Sequence, residues 1–205
     1  MLLRAFAVVL SLMVLAAPAV AEDATLKGAE AYVDKVIKDA FDTIGDARAK
    51  EISNADAKVK FRKILNSSFD IPTIAKFTMG RYWRVATPAE KKEYTDLLKT
   101  VILEKYADRL LSFSGDGYTI DSSRALNDKD VAVATTIKPA NEPPVSFGWR
   151  LRKVNGGFKV IDLSVEGVSM SVTHRTDFGS VIERNGGKVQ ALIDALKQKK
   201  TASKS

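Results

Sequence analysis

The stretch Val145-Ser146-Phe147-Gly148-Trp149-Arg150-Leu151-Arg152-Lys153-Val154 decides the fold class of this chain. Side chains alternate faces along a strand, so Val145, Phe147, Trp149 and Leu151 share one face, while Arg150 and Arg152 share the other. That pattern belongs to an antiparallel sheet with one buried and one solvated side. Asn155-Gly156-Gly157 then reads as a hairpin turn, and Phe158–Val165 as the returning strand. Towards the N-terminus, Val131–Lys138 and Tyr118–Leu126 are two further strand-like runs joined at Asn127-Asp128. Pro139–Pro144, with three prolines, is a longer connection.

Helical periodicity surrounds this meander. Leu26, Ala29, Val33, Ile37, Ala40, Phe41 and Ile44 mark a first helix over about 24–45, with Gly45-Asp46 as its break. A second helix runs to about Asn66, carrying Ile52, Ala55, Val59, Phe61, Ile64 and Leu65. Asp70 before Ile71-Pro72 caps a third, which holds Ile74 and Phe77 and ends at Gly80. Thr87-Pro88-Ala89-Glu90 opens the longest helix, because Thr87 caps it and Glu90 reaches back to the Thr87 amide. Tyr94, Leu98, Ile102, Tyr106 and Leu110 follow at four-residue steps. After the strands, helices are expected over about 173–185 and 187–199, split by Gly186-Gly187. The order predicts an α+β fold, a curled antiparallel sheet of about four to five strands covered by helices.

Composition closes off several chemistries. The chain has 205 residues, no cysteine and one histidine, His174. Disulfide scaffolds, thiolate metal sites and cysteine nucleophiles are therefore excluded, and so are multi-histidine metal centres. A Ser/His/Asp triad would need His174, near Ser169, Ser171 and Asp177, but no G-x-S-x-G elbow is present. His174 reads instead as a surface or capping residue at a helix start, and Asp162 and Glu166 as structural or solvated carboxylates. No phosphate-binding glycine loop occurs, no cofactor is implied, and no catalytic residue is expected. The net charge of +7 comes from scattered lysines and arginines without an RNA-binding aromatic motif, so nucleic acid is not an expected partner.

The first residues read as a targeting segment. Arg4 precedes an apolar run from Ala5 to Leu15, and Ala19-Val20-Ala21 fits a signal-peptidase site after Pro18. Residues 1–21 are expected to be a cleaved signal peptide, 22–197 one domain, and 198–205 a flexible basic tail. A cleaved signal without cysteines points to the periplasm. A monomer is expected, because an edge-free curled sheet and charged helix faces offer no large apolar patch.

Three stretches together carry a resemblance. They are Phe69-Asp70-Ile71 through Gly80-Arg81-Tyr82-Trp83-Arg84, then Thr87-Pro88-Ala89-Glu90 through Tyr106-Ala107, then Val160-Ile161-Asp162 through Val165-Glu166-Gly167-Val168-Ser169-Met170, followed by Arg175, Phe178 and Ser180. Over about 25–196 the chain resembles the MlaC, or toluene-tolerance auxiliary, family of periplasmic phospholipid-binding proteins. Phe158 departs from it, standing where the family usually has tryptophan. The resemblance implies a cone-like fold with an apolar cavity that holds a two-chain phospholipid, headgroup outward. It also implies two partners, an inner-membrane ABC lipid transporter complex and an outer-membrane lipoprotein complex, with lipid shuttled between the membranes. A hopanoid-associated sister group and a non-catalytic protein-binding factor are the alternatives.

Enclosing a lipid is a problem of apolar area. Each exposed methylene costs about 0.8 kcal/mol, so roughly thirty methylenes cost about 24 kcal/mol. The cavity must then approach about 1,000 Å³, the upper end of ordinary ligand pockets. The amphipathic faces and matched motifs nominate its lining: Phe69, Ile74, Phe77, Leu98, Ile102 and Tyr106 from helices, and Phe147, Trp149 and Leu151 from the sheet. Val165, Val168, Met170, Phe178 and Ile182 come from the closing segment. Tyr82 and Trp83 either stand at the mouth beside Arg81 and Arg84, or belong to the core with the arginines paired.

Overall fold

The structure, a computed structural model, describes residues 18–202. The signal segment expected over 1–21 lies mostly outside the described residues, as do the last three residues of the expected tail. Helix α1 (Pro18–Arg48) is followed by α2 (Asn54–Ser68), α3 (Ile71–Met79), a short 3-10 turn (Gly80–Arg84) and α4 (Pro88–Leu111). Five strands come next: β1 (Gly115–Ala125), β2 (Asp130–Pro139), β3 (Val145–Val154), β4 (Gly157–Val165) and β5 (Val168–Ser169). Helices α5 (Met170–Arg184) and α6 (Val189–Ala202) end the described chain. The sheet is one antiparallel meander in the order β1-β2-β3-β4-β5, so the α+β expectation holds.

The caps act as the sequence signals. Thr87 Oγ1 accepts from the Glu90 amide at 3.2 Å, and a Glu90 carboxylate oxygen accepts from the Thr87 amide at 2.8 Å. Asp70 accepts from the Thr73 amide at 3.0 Å and starts α3. The first helix breaks later than expected. Gly45 lies inside α1, and the break falls instead at Lys50, whose φ is 60°. A glycine on the exposed side of a long helix costs only about 1 kcal/mol, which the packing of α1 overrides. The fold is also not edge-free: β1 is an outer strand of an open sheet. Register shifts between Gly115 and Gly117 and between Ile120 and Ser122 kink this edge, and bulges of that kind discourage edge-to-edge pairing.

The sheet's outer face is tied by a buried acid. Asp130 sits opposite Arg152 in the β2–β3 register and is 1% exposed. It accepts from Arg152 Nε at 2.8 Å and from Arg150 Nη2 at 2.8 Å. The hydrogen bond from Arg152, then that from Arg150, holds its carboxyl at about 2 against the opposing cost of burial. A carboxyl depressed in the fold stabilises it above the unfolded value of 3.8, and that stabilisation is lost as pH falls towards 2.

Asp130→Asn should therefore destabilise the protein at pH 7 by roughly 1–3 kcal/mol, below the usual range for fully buried pairs because both arginines are partly exposed. Thermal unfolding should show a lower midpoint for the variant at pH 7 and a shrinking gap below pH 4. Equal midpoints at pH 7 would remove Asp130 as a tie.

Candidate functional site

The inner face of the sheet is mostly apolar and unevenly covered. Near the Asn155-Gly156 turn, the paired Val131 and Leu151, with Val160 across from Leu151, are fully buried beneath Ala29, Val33, Val36 and Ile37 of α1. One step along, Val133 and Trp149 pair, and the indole donates to Thr135 Oγ1 at 3.0 Å. Beyond this point burial fades. Phe147, Val145 and Ile137 are only half-buried, as are Leu163 and Val165 on β4.

The helices explain the gradient. α1 lies on β1 and β2, and Phe41 in its later turns meets Tyr118 at 5.6 Å and Phe113 at 5.4 Å between ring centroids. α4 instead packs on α6, α2 and α3, without a comparable layer against the sheet. Its Val101, Ile102 and Tyr106 are half-buried. Tyr106 Oη reaches Met170 Sδ at 3.3 Å and so bridges α4 to the start of α5. Three separate apolar clusters result, with Phe69 touching two of them and Ile64 touching another pair.

The nominated residues divide between these clusters. Ile74, Leu98, Phe178 and Ile182 are buried in the helical cluster, with Phe69, Tyr82, Trp83 and Ile102 at its margin. Trp149 and Leu151 are buried in the sheet cluster, with Phe147 and again Phe69 at its margin. Tyr106, Val165 and Met170 are half-buried, whereas Phe77 and Val168 are exposed. In the Gly80–Arg84 segment Trp83 and Tyr82 pack on the core, and Arg81 pairs with Glu183 at 2.6 Å. Leu163, Ile64, Phe41 and Tyr118 also border the sheet cluster and were not nominated. The periodicity of α1 and α2 flags Phe41 and Ile64; nothing local flags Leu163.

His174 is not at the surface. It is buried on α5 and stacks on Phe178, with ring centroids 5.2 Å apart. Beside it, a cleft of about 210 Å³ lies between α4, α5 and α6, bordered by Val101, Lys105, Asp177, Leu196 and Lys199. Burial first, then Lys105 and Lys199, pushes its pKa below 6.5, and Asp177 opposes this. Such a cleft is far too small for two acyl chains. Asp162 has a structural role: it accepts from Ser169 Oγ at 2.6 Å and from the Ser171 amide at 3.0 Å, fixing β4 to the first turn of α5.

Comparison with known proteins decides the family, because the MlaC family model matches residues 34–198. The chain belongs to the MlaC family. Its relatives include the toluene tolerance protein Ttg2D of Pseudomonas putida, 26% identical over 64% of this chain and 62% of that protein. Another is the intermembrane phospholipid transport system binding protein MlaC of Haemophilus influenzae, 25% identical over 58% of this chain and 57% of that protein. These matches span about three-fifths of the relatives' length. Among solved structures, the phospholipid-binding protein of Ralstonia solanacearum, in complex with a phospholipid, superposes with a TM-score of 0.77 at 26% identity. That alignment covers 85% of this chain and 98% of the other.

The His174 environment makes a direct prediction for this MlaC family member. A histidine whose pKa is lowered in the fold is stabilising when neutral, so stability declines as pH falls below 6.5. Midpoints of thermal unfolding between pH 7.5 and 5 should fall more steeply for the wild type than for His174→Gln. Parallel curves would mean that His174 is protonated as readily in the fold as outside it.

Proposed function

We propose that this chain is a periplasmic carrier of two-chain phospholipid, the soluble component of an ABC-type system that moves lipid between the outer and inner membranes. The observation that supports it most is the apolar surface left half-buried on both layers, Ile102 and Tyr106 on α4 and Phe147, Leu163 and Val165 on the sheet, and the carrier reading places the acyl chains in a seam between them. The phospholipid bound by the Ralstonia solanacearum structure, on a fold that covers most of this chain, supports the same reading. Among the described residues no helix is long and apolar enough to cross a membrane, as a carrier between membranes requires.

Physical chemistry then sets the mechanism. Acyl chains leave a bilayer only if most of their area is covered at once, since roughly thirty bare methylenes would cost about 24 kcal/mol. The sheet is rigid, tied by the Asp130 clamp outside and by Trp149–Thr135 inside. Helix α4 is the movable wall. Separation of α4 from the sheet, with loss of the weak Tyr106–Met170 contact, opens the seam. Chains entering it replace half-buried contacts with full ones and return the cost of opening. The headgroup stays at the wide end, where Val145, Ile137 and Val165 lie.

Leu163→Trp should put an indole into the seam at an overpacking cost of about 1–3 kcal/mol. Native mass spectrometry should find two-chain phospholipid on the wild type and on the exposed control Val59→Trp, and at least fivefold less on Leu163→Trp. A wild type that is empty and stays empty after incubation with vesicles would overturn the carrier reading.

A further inference from the structure

Arg175 stands exposed on α5, with its guanidinium 5.0 Å from the ring centroid of Phe77. On another side it meets Gly80, where a Cβ would lie 3.2 Å from Arg175 Nε. Gly80 also has φ of 59°, a backbone conformation that favours glycine, and its bare Cα lets the guanidinium approach closely. Ring and bare backbone together hold the guanidinium in place. Among the described residues none of its donors makes a hydrogen bond or ion pair. A pre-oriented and unspent guanidinium offers paired donors to a phosphate or a carboxylate.

The surroundings share its character. Arg84 is exposed and has no ion pair among the described residues, while Arg81 is matched by Glu183 at 2.6 Å. Lys91 lies 5.7 Å over the ring of Trp83. Large apolar side chains also gather here. Six are exposed among the described residues, and four belong to this stretch of α3, the 3-10 turn, β5 and α5: Phe77 at 41%, Val85 at 72%, Val168 at 56% and Val172 at 51%. Isolated exposed apolar side chains are ordinary. Here Phe77 meets Arg175, Val85 follows Arg84, and half-buried Tyr82 and Trp83 lie on the same short turn. That turn and α3 both pack on α5, and cations, amphipathic rings and shallow apolar side chains make up the composition that binds the headgroup layer of a membrane.

We propose that this face, centred on Arg175 and Phe77, docks the protein on bilayers of anionic phospholipid. Arg175 and Arg84 take lipid phosphates, and Phe77, Val85, Val168 and Val172 enter the boundary between headgroups and chains. An acidic protein partner fits less well, because a protein interface buries a contiguous apolar centre and these side chains are set apart by cations. Val168 and Val172 flank Met170, which closes the seam with Tyr106, so docking would set the wide end against the bilayer. Docking does not depend on the carrier reading and is measurable whether or not the seam holds lipid.

The test is co-sedimentation of the full chain with vesicles of phosphatidylglycerol and phosphatidylcholine, or of phosphatidylcholine alone, at low salt. Anionic vesicles should bind the wild type, and added salt should weaken the binding. Each of Arg84→Gln and Arg175→Gln should lower partitioning about fivefold, and the pair about twenty-five-fold, from about 1 kcal/mol for each charge near the surface. Phe77→Ser should also weaken it. Trp83 emission should shift to the blue on anionic vesicles, over a constant background from buried Trp149. Partitioning of the double variant equal to the wild type, with midpoints of thermal unfolding unchanged, would overturn the proposal. So would a wild type that ignores anionic vesicles yet binds polyglutamate, which would reassign the face to an acidic protein. Lipid content by native mass spectrometry should be unchanged in the double variant, which separates this test from that of the carrier reading.

Discussion

The inner face of the sheet is sealed at one end and only half-covered at the other. Val131, Leu151 and Val160 are sealed under α1, while Phe147 and Leu163 only border that cluster and Val165 stays half-buried. An apolar surface left half-covered is a standing cost of about 25 cal/mol for each Å² still wet. A folded chain keeps such a surface when something else covers it. Acyl chains suit this requirement because they need shape and apolarity, and almost no hydrogen bonds. The seam meets that description, since its polar inner group, Thr135, is already satisfied by Trp149.

Rigidity and movement are divided between the two layers. Outside, Asp130 gathers Arg150 and Arg152 and fixes the β2–β3 register. At the far edge of β4, the Asp70 amide donates to the Val160 carbonyl at 2.9 Å, which extends the sheet by one bridge to Phe69. Asp162 then locks β4 to the start of α5. The sheet, α3 and the first turn of α5 thus form one body. Between α4 and α5 the buried edge-to-face pair of Tyr94 and Phe178, 6.0 Å between ring centroids, anchors the early turns of α4, while its later turns meet α5 through a tyrosine on a thioether beside a small cleft. An opening confined to the later turns of α4 has least to break.

Most of the scaffold is legible from the residues. The alternation in Val145–Val154 marks the inner and outer faces, and the Thr87–Glu90 box marks the start of α4 to the residue. The site is less legible, for identifiable reasons. Counting back from the turn, Val154 pairs with Gly157 and Leu151 with Val160, so Trp149 would face Asp162. A register shift between Arg150 and Leu151 adds one residue on β4, and Trp149 pairs with Leu163 instead. That bulge has no local signature, and it turns Leu163 and Val165 inward together. Helical residues posed the opposite difficulty. Leu98 and Ile182 carry the same periodicity as Ile102, yet they are sealed in the helical cluster and only Ile102 reaches its margin. Periodicity assigns a face and not the depth of what lies against it. His174 shows the same limit, since one imidazole among polar neighbours in sequence gives no sign that Phe178 and α6 bury it.

The central claim is that acyl chains lie between α4 and the open half of the sheet. It is tested most directly by loading the protein with a phospholipid that carries a photoactivatable group at the end of one acyl chain, irradiating, and sequencing the labelled peptides. Label on the peptides holding Ile102 or Tyr106 and on those holding Phe147 or Leu163 is the predicted result. Label confined to the outer faces of the helices, or absent from both α4 and the sheet, would contradict it.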